Sequence, residues 1–562
     1  MKVRAIVLLL MLSYTVVFAS QGMQEQELKK MIGRMLIIGF SDSKVDKNSP
    51  IIKQINKYDL GGVILFDRFY SKNDKQKNIV SPSQLKKLTS DLQRLTNKPI
   101  LISIDQEGGR VARLKPHYGF KHIPSAKKVS KLSLEEARAI YSTQSKMLQS
   151  AGINTNFAPV VDLAINPKNK VIVGLERSFS KSAKRVSSYA KIVIEEQRKE
   201  GVLSVLKHFP GHGSSLGDSH KGFVDITQTW SEKELEPYRR LIASNDVDMI
   251  MTAHVFNKKL DKKYPATLSY SVNTKLLRQK MAYRGVIISD DLQMQAISKH
   301  YSLKNAVTLA INSGVDILLY GNQLSANQAD KLVDTIYKQM KNGAIPLSRI
   351  VESNKRIANL FTKLAIKQRP IEFKAKRVEL TKEYIKTHYG LDVKSIEIEP
   401  KSIVLHWTAV MSLKDSFKRL NPQLLYSDRA DIANASALNV SSHFLIDRDG
   451  TIYQLMPDNW MARHVIGLNY SAIGVENVGG KSNKEQDLTP AQLRANIALV
   501  KYLKQKYPKI EYLLGHHEYR AMEKSKLWLE KDAGYRTKKA DPGEKFMRDV
   551  RDGVVELELK RP

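Results

Sequence analysis

Short apolar runs rich in leucine and β-branched residues recur along the first 320 residues, and segments of helical length separate them. Such alternation predicts parallel β/α units, and eight units within about 300 residues fit a (β/α)8 barrel. A capping box formed by Ser133 and Glu136 predicts the start of one of these separating helices. The predicted strands lie at 35–40, 61–66, 100–104, 154–158, 202–207, 248–253, 285–289 and 315–320.

The pattern changes after residue 366. Between 366 and 401 the periodicity is lost and Lys, Arg and Glu become frequent, which predicts a linker or lead-in segment at 371–395. Beyond it lie apolar runs at 402–405 and 473–478, a hairpin turn at 447–450 and a helix that begins Thr489-Pro490. These elements predict a mixed α+β domain at 396–562, preceded by an α/β barrel domain at 21–370.

Composition and charge narrow the function classes. The 562 residues are 42% hydrophobic and 26% charged, as in soluble globular proteins. A net charge of +34 favours polyanions such as nucleic acid, anionic lipid or acidic cell-wall polymer. No compact basic block and no nucleic-acid motif is found, so we interpret the charge as a basic surface and expect no nucleic-acid partner. The absence of cysteine confines any metal site to His, Asp and Glu ligands.

The N-terminus has the pattern of an export signal. MKVR precedes an apolar stretch at 5–18, and Val17-Phe18-Ala19 precedes Ser20, which predicts a signal peptide at 1–19 and a periplasmic or secreted protein. An uncleaved signal anchor is the alternative. No later run approaches the ~18 apolar residues of a membrane span, so we expect no stable membrane insertion after cleavage. The pattern makes no prediction of oligomeric state.

Polar side chains follow several predicted barrel strands. The carboxyl ends of barrel strands meet at one rim, where barrel chemistry occurs. The loop after the fifth strand holds three histidines, at 208, 212 and 220, which indicate either a metal site or an imidazole at His220 that Asp218 orients for proton transfer. The candidates at strand ends are Asp105, Lys207, His208, His254 and Asp290.

Five motifs carry a family resemblance: IDQEGGRVARL at 104–114, ERSFS at 176–180, KHFPGHG at 207–213, DSH at 218–220 and ISDDLQM at 288–294. In this order they resemble the bacterial β-N-acetylglucosaminidases of glycoside hydrolase family 3. A plain family 3 β-glucosidase is the alternative, but those enzymes generally take their acid/base group from a second α/β domain.

The family resemblance implies a retaining mechanism with Asp290 as nucleophile and Asp291 as a structural neighbour. It further implies His220 as general acid and base with its partner Asp218, in place of the second carboxylate of most retaining glycosidases. The terminal sugar would be bound by Asp105, Arg177, Lys207 and His208.

The second domain holds its own set of metal-ligand types. His406 follows an apolar strand, His516 and His517 follow another, and Asp541 precedes Pro542-Gly543. Two histidines and one aspartate can bind zinc with a fourth position left open, as in catalytic sites. Their spacing alone is unspecific, because more than a hundred residues separate the first ligand from the others.

The segments IVLHWTA at 403–409, SSHFLIDRDGTIYQL at 441–455, LLGHHEYR at 513–520 and KKADPG at 538–543 resemble the type 2 zinc-dependent N-acetylmuramoyl-L-alanine amidases. The resemblance implies His406, His516 and Asp541 as zinc ligands. It implies Glu476 as the base that deprotonates water and Lys539 as the group that stabilises the oxyanion.

Two questions stay open at this stage. About two dozen residues separate His516 from Asp541, more than in typical family members, so His517 competes with His516 as ligand. His443 and His464 are interpreted as pocket residues. The substrate implied by both resemblances is peptidoglycan or its muropeptides, and the alternatives are a non-catalytic wall-binding C-terminal domain or a wall-anchoring protein with a relic barrel.

Overall fold

The structure, a computed structural model, describes residues 24–70, 75–218, 222–244, 247–323 and 328–562. The predicted signal peptide at 1–19 lies outside these ranges. The chain divides into two compact units, of which the first ends at Leu360 and the second begins at Phe361. Each unit is described separately below.

The first unit is a nearly closed parallel barrel. All strand neighbours pair in parallel, in the order β7-β6-β5-β4-β3-β2-β1-β8, and a parallel bridge between Ile288 and Ile317 joins the two ends of the series. The eight predicted strands and the barrel are confirmed. The strands are β1 (Leu36–Gly39), β2 (Gly62–Ile64), β3 (Leu101–Ile104), β4 (Thr155–Asn156), β5 (Leu203–Phe209), β6 (Met249–Thr252), β7 (Val286–Ser289) and β8 (Leu318–Tyr320).

Every residue of these barrel strands is buried, because side chains fill the interior of the barrel and helices cover its outside. This explains why the strands are continuous apolar runs. The helices of this unit are Glu25–Gly33, Pro50–Tyr58, Pro82–Leu95, Ala126–Val129, Leu134–Ser150, Ala183–Lys199, Glu236–Ala243, Gln295–Ser298, Leu303–Ser313, Ala329–Lys341 and Leu347–Ala365, the last of which continues past Leu360. Shorter 3-10 turns occur at Pro116–Tyr118, Glu232–Leu235 and Ala266–Leu268, and a π-helix at Ser271–Lys280.

Both predicted helix starts are confirmed by their capping geometry. Ser133 Oγ accepts from the backbone N–H of Glu136 at 3.2 Å, and Glu136 Oε2 accepts from the N–H of Ser133 at 2.8 Å. Thr489 and Gln492 form the same reciprocal pair at 3.1 and 3.0 Å, with Pro490 in the first helical turn. Each pair satisfies two backbone donors that a helix end leaves free.

The second unit contains one mixed sheet with the order β14-β10-β13-β11-β12-β9. The predicted hairpin is confirmed, since β11 and β12 pair antiparallel across the turn and Gly450 takes a positive φ of 87° there. The strands are β9 (Lys367–Gln368), β10 (Ser402–Trp407), β11 (Phe444–Ile446), β12 (Ile452–Gln454), β13 (Ala472–Asn477) and β14 (Tyr512–Gly515), and the helices are Ala375–Tyr384, Leu413–Leu420, Ala430–Ala433, Pro490–Lys506 and Glu544–Asp552, with shorter helical turns at Ile385–Tyr389, Lys481–Asn483, His516–Lys524 and Val555–Leu557.

Side chains alternate between the two faces of this sheet. Ile403 and Leu405 pack in one core with the helices Pro490–Lys506 and Glu544–Asp552. Val404 and Ala472 pack in the other core, which includes Leu380 and Tyr384. His406 and Glu476 share the strand parity of Val404 and Ala472, so the candidate metal site lies on this second face.

The segment 371–395 differs from a linker. It contains the helix Ala375–Tyr384, which continues as one π-helical turn to Tyr389, and its residues Leu380, Tyr384 and Tyr389 lie in the core of the second unit. This segment is therefore part of the second unit, which begins well before the predicted start at 396.

Candidate active sites

The barrel site forms where three strands end. Asp105 follows β3, Lys207 and His208 lie in β5, and Asp290 follows β7. Because all strands run parallel, these residues share the C-terminal rim. The structure brings all four predicted sugar-binding residues into one hydrogen-bonded network, which comprises Asp105, Arg177, Lys207 and His208 together with Glu107.

Lys207 and Arg177 are the cations of this network. Lys207 Nζ lies 2.7 Å from Asp105 Oδ1 and 2.8 Å from Glu107 Oε1. The Arg177 guanidinium donates to both oxygens of Glu107, at 2.7 and 2.8 Å. Burial raises the pKa of Glu107, but Arg177 and Lys207 outweigh burial and hold it at about 2. The network therefore stays ionised at neutral pH.

His208 is oriented by a buried carboxylate. Its Nδ1 lies 2.7 Å from Asp162 Oδ2, and its Nε2 lies 3.3 Å from an Arg177 nitrogen. Asp162 also accepts from the backbone N–H of His212 at 2.8 Å. Burial raises the pKa of Asp162, but the neighbouring His208 outweighs burial and lowers it. A carboxylate acceptor at Nδ1 leaves Nε2 as the acceptor for Arg177.

The two aspartates after β7 differ in their surroundings. Asp290 Oδ1 accepts from the backbone N–H of Asp291 at 2.8 Å. Asp291 Oδ1 accepts from the N–H of Gln293 at 3.0 Å, and the Asp291 carbonyl lies 2.9 Å from His254 Nε2. Asp291 thus caps the turn after the strand, which is consistent with its interpretation as a structural neighbour of Asp290.

The loop after β5 is described up to Asp218, and His220, the predicted acid/base residue, lies outside the described residues. Glu234 fixes the described part of this loop, because its Oε2 accepts a hydrogen bond from the backbone N–H of Gly213 at 2.8 Å. Burial raises the pKa of Glu234 to about 7. His212 Nδ1 lies 2.6 Å from Ser215 Oγ, and burial lowers the pKa of His212 to about 4.

The sequence analysis did not predict three charged residues of the barrel site, which are Glu107, Arg113 and Asp162. The Arg113 guanidinium lies 3.4 Å from Asp105 Oδ2 and 4.0 Å from Asp67 Oδ1. Glu107 and Arg113 belong to the quoted motif at 104–114, so the motif itself was the available signal. Asp162 follows β4 closely and had no comparable signal.

The second site is a cluster of three potential metal ligands. His406 Nδ1 lies 2.9 Å from His516 Nδ1 and 3.3 Å from Asp541 Oδ2, and His516 Nδ1 lies 2.9 Å from Asp541 Oδ2. Within the described part of the chain, this is the one group of three His, Cys, Asp or Glu side chains with metal-binding spacing. Ligands about 2.0–2.1 Å from a tetrahedral zinc ion lie roughly 3.4 Å apart, so the cluster needs only small shifts to fit zinc.

The chemistry of the donors also fits a metal ion. Burial lowers the pKa of His516 to about 4, so its ring is neutral at pH 7 with a lone pair to offer. Burial raises the pKa of Asp541, but His516 and His406 outweigh burial and hold it well below its usual range. Zinc binds neutral imidazole and ionised carboxylate.

Glu476 lies beside the cluster. It pairs in register with His406 across β10 and β13, and its Oε2 atom is buried without a hydrogen-bond partner. Burial, and secondarily Asp541, raise the pKa of Glu476 well above its usual range. A buried oxygen without a hydrogen-bond partner next to three potential metal ligands is the arrangement expected of a base that acts on bound water.

The choice between His516 and His517 follows from the contacts. His517 directs its backbone N–H and its Nδ1 to the carbonyl oxygen of Asp541, at 2.9 and 3.0 Å. It therefore fixes the backbone of Asp541, whereas His516 contributes to the cluster. The cluster opens to a cavity of about 510 Å³ whose lining includes Lys539, Arg429 and Glu476.

The two histidines that were interpreted as pocket residues, His443 and His464, differ in their surroundings. His464 lines the cavity, as predicted. His443 is fully buried, since its Nε2 lies 2.7 Å from the Trp460 carbonyl and its Nδ1 accepts from the N–H of Gly474 at 2.9 Å. His443 is thus a buried structural residue, with both ring nitrogens hydrogen-bonded to backbone groups, rather than a pocket residue.

The segment between His516 and Asp541 packs on the helix Ala375–Tyr384 and the turn after it. His388 Nδ1 and Glu530 Oε1 form a buried ion pair at 2.9 Å, and Tyr535 lies 5.1 Å from the His388 ring. Tyr384 and Tyr535 both line the cavity. The extra residues before Asp541 and the lead-in helix therefore form one wall of the cavity together.

Family comparisons agree with the division into two sites. Residues 27–360 match the model of the glycosyl hydrolase family 3 N-terminal domain. The chain belongs to glycosyl hydrolase family 3. Residues 397–544 match the model of N-acetylmuramoyl-L-alanine amidase, so this family 3 member carries a second hydrolase domain.

Two relatives each match about half of this chain. β-Hexosaminidase A of Pseudoalteromonas piscicida is 33% identical over 336 residues, which cover 55% of this chain and 54% of that protein. The β-hexosaminidase of Nitrosomonas eutropha is 32% identical over 305 residues, which cover 52% of this chain and 81% of that protein. The chain thus spans about half the length of the first relative.

A family 3 β-N-acetylglucosaminidase from Paenibacillus sp. is similar in structure, with a TM-score of 0.55 and 25% identity over 87% of this chain and 84% of that one. Among the described residues, none of the helices is both long and apolar enough to traverse a bilayer.

Proposed function

We propose that this chain is a bifunctional peptidoglycan hydrolase. The barrel would remove terminal β-1,4-linked N-acetylglucosamine, and the second unit would cleave the amide bond between N-acetylmuramic acid and L-alanine. The observation that carries the second activity is the cluster of His406, His516 and Asp541 beside Glu476. A domain that only binds the wall has no need of a ligand set with an adjacent base.

The glycosidase proposal rests on the ionised network at the barrel rim. Lys207, Asp105 and Arg177 are fixed by one another and by Glu107 before a sugar arrives, so little reorganisation accompanies binding of its hydroxyl and acetamido groups. Asp290 would attack the anomeric carbon while His220 protonates the leaving oxygen. His220, oriented by Asp218, would then take a proton from water, which hydrolyses the glycosyl ester with retention.

The amidase proposal assigns His406, His516 and Asp541 as zinc ligands. Zinc in such a site acts as a Lewis acid and brings the pKa of water to about 7. Glu476 would accept the proton of the attacking water and pass it to the leaving amine of L-alanine. Lys539, which lines the same cavity, would stabilise the negative charge that develops on the amide carbonyl oxygen.

We further propose that the protein is exported and acts outside the cytoplasm. The support is the n-region, apolar stretch and small-residue site at 1–20 and the wall-derived substrate that both units would share. N-terminal sequencing of the protein recovered from the periplasm or medium should start near Ser20. Recovery of the full-length chain in a membrane fraction would instead support an uncleaved anchor.

The decisive test uses a defined disaccharide-peptide muropeptide and mass spectrometry. Wild type should release both N-acetylglucosamine and free peptide. Asp290→Asn should abolish release of the sugar only, and Glu476→Gln should abolish release of the peptide only, because each change removes one reacting carboxylate and keeps its shape. A zinc chelator should reproduce the effect of Glu476→Gln, and added zinc should reverse it.

Other outcomes discriminate between the candidates. If peptide never appears, even with added zinc, the chain is a β-N-acetylglucosaminidase with a peptidoglycan-binding C-terminal domain. If neither product appears, the bifunctional proposal fails. The anomeric configuration of the sugar first released, followed by NMR, should be β if the mechanism retains configuration.

A further inference from the structure

The ring of His464 lies between the candidate ligand His406 and the backbone of β13. Its Nδ1 is 3.0 Å from His406 Nε2, and its Nε2 is 3.3 Å from the carbonyl oxygen of Ala472. The His406 and His464 rings are nearly perpendicular, with their centroids 5.1 Å apart. His464 is therefore the hydrogen-bond partner of His406 Nε2, the ring nitrogen of His406 that does not face His516 and Asp541.

The carbonyl of Ala472 decides the direction of these hydrogen bonds. A carbonyl oxygen only accepts, so the proton of the His464 ring is on Nε2 and its Nδ1 is an acceptor. His406 then donates from Nε2 to His464 Nδ1. A neutral imidazole carries one proton, so His406 Nδ1, which lies 2.9 Å from His516 Nδ1 and 3.3 Å from Asp541 Oδ2, presents a lone pair.

A glycine makes room for this arrangement. A Cβ atom on Gly474 would lie 2.7 Å from Cγ and 2.8 Å from Nδ1 of the His464 ring, which is closer than non-bonded atoms tolerate. The backbone cannot shift to relieve the contact easily, because Gly474 donates its N–H to His443 Nδ1 at 2.9 Å and its carbonyl accepts from Ser442 Oγ at 2.8 Å. The position of the His464 ring thus depends on the absence of a side chain at 474.

We propose that His464 is a positioning residue for the metal site: it fixes the tautomer and the orientation of His406 so that Nδ1 faces the metal, and Gly474 provides the space it needs. The inference rests on the proposed zinc-dependent function and extends it to two residues outside the ligand set. Groups that orient a metal-bound histidine typically contribute about 10- to 100-fold in metal affinity.

The test measures zinc affinity of the full chain by competition with a chromophoric chelator, independently of activity. His464→Ala should weaken zinc binding by about 10- to 100-fold. His464→Asn should restore part of the loss, because an Asn Oδ1 can accept from His406 Nε2 near the position of the lost Nδ1. The absorption spectrum of the cobalt-substituted protein should change in His464→Ala and return toward wild type in His464→Asn.

Gly474→Ala tests independently whether the position of the His464 ring affects zinc binding, because the added methyl group displaces the ring without removing it. It should weaken zinc binding as His464→Ala does, and the double variant should lose little more than either single variant. Gly534→Ala is the matched control: the added methyl group would meet only Asp532 Oδ1, at 3.3 Å, and zinc affinity should be unchanged. Thermal unfolding without metal identifies any variant that has lost its fold.

The outcomes separate the inference from the proposed function. Wild-type zinc affinity in folded His464→Ala and Gly474→Ala would overturn the inference and leave the metal site in place. If folded Gly474→Ala weakens binding while His464→Ala does not, the link through His464 is also wrong. Failure of the wild-type chain to bind zinc would overturn the proposed metal site, and this inference with it.

Discussion

Arg177 and Glu107 form two parallel hydrogen bonds, at 2.7 and 2.8 Å, beneath the rim of the barrel. The same guanidinium reaches His208 Nε2, and the same carboxylate reaches Lys207 Nζ. One unpredicted acidic residue therefore orients two residues that the sequence assigned to sugar binding. Its removal should affect the fold and the binding of substrate together.

The first prediction concerns this pair. Glu107→Gln should destabilise the barrel by about 3 kcal/mol, because it leaves two buried cations with one carboxylate fewer. It should also raise KM for a chromogenic N-acetylglucosaminide more than it lowers kcat, because Glu107 holds Arg177 and Lys207, two of the residues proposed to bind the sugar. Denaturant unfolding and steady-state kinetics measure the two effects.

Glu195→Gln is the control for Glu107→Gln. Glu195 pairs with Arg138 at 2.7 Å, but both side chains are about one-third or more exposed, so its loss should cost less than about 1 kcal/mol. Equal effects of the two substitutions would contradict the assigned role of Glu107. The pKa of Glu107, about 2, lies below the usual 4.5, so its stabilising contribution is present above 4.5 and is lost as the pH falls through about 2.

The second prediction concerns Glu234, whose pKa burial raises to about 7. A raised carboxyl pKa means that the folded state favours the protonated form. Its stabilising contribution is therefore complete below pH 4.5 and is lost as the pH rises through about 7. Glu234→Gln should make the barrel more stable than wild type at pH 8.5, by roughly 2–3 kcal/mol, and should make little difference at pH 4.5.

Hydrogen–deuterium exchange of peptides from the segment 203–218 in the full chain measures this effect. The matched control is Glu232→Gln, two residues away in the same 3-10 turn, where the side chain is 70% exposed. Faster exchange of this segment in Glu234→Gln than in wild type at pH 8.5 would contradict the prediction.

The third prediction concerns the buried pair of His388 and Glu530. Burial lowers the pKa of His388, but the hydrogen bond with Glu530 outweighs burial and raises it above 6.5. The pair therefore stabilises the second unit fully below pH 6.5, and this contribution is lost as the pH rises through the raised pKa. Glu530→Gln should accelerate exchange in the helix Ala375–Tyr384 strongly at pH 6 and weakly at pH 9.

Asp532→Asn changes an exposed carboxylate two residues away and serves as the control for Glu530→Gln. It should alter exchange in that helix little at either pH. A destabilisation by Glu530→Gln that is the same at pH 6 and pH 9, after correction for the intrinsic exchange rate, would show that the ionised pair is not its cause.

The fourth prediction separates two adjacent histidines. His516→Ala should abolish binding of one equivalent of zinc, because it removes a nitrogen that lies 2.9 Å from the other ligand atoms. His517→Ala should retain the metal, because His517 directs its Nδ1 and its backbone N–H to the carbonyl oxygen of Asp541 and not to the carboxylate. Metal content after dialysis, measured by atomic emission, gives the answer, and the reverse result would make His517 the ligand.

The barrel could be predicted from the sequence because the barrel strands are buried on all sides and are therefore continuous apolar runs in the sequence. The sequence predicted the positions of Asp105, Lys207 and His208 because strand ends are recognisable. It did not predict Asp162 as a site residue, because its partner His208 is 46 residues away and no local pattern encodes such a distance. Glu107 lies in a recognised motif, but its contact with Arg177, 70 residues away, is visible only in the structure.

The segment 371–395 shows a different cause of error. Its many Lys, Arg and Glu residues indicate exposure, yet Arg377 is 1% exposed and donates to the backbone carbonyls of Asn421 and Pro422. A buried guanidinium satisfied by carbonyls has the same sequence signature as a solvated one. Hydropathy therefore indicates a linker where the chain forms a packed helix.

The position of β9 has a practical consequence. This strand of two residues, Lys367–Gln368, covers the outer edge of β12, and the helix that follows contributes Leu380 and Tyr384 to the core. A recombinant fragment that starts at residue 396 would expose the unpaired edge of β12 and an apolar surface at once, and such surfaces promote self-association. For production or engineering of the amidase unit alone, the chain should therefore be cut before Phe361.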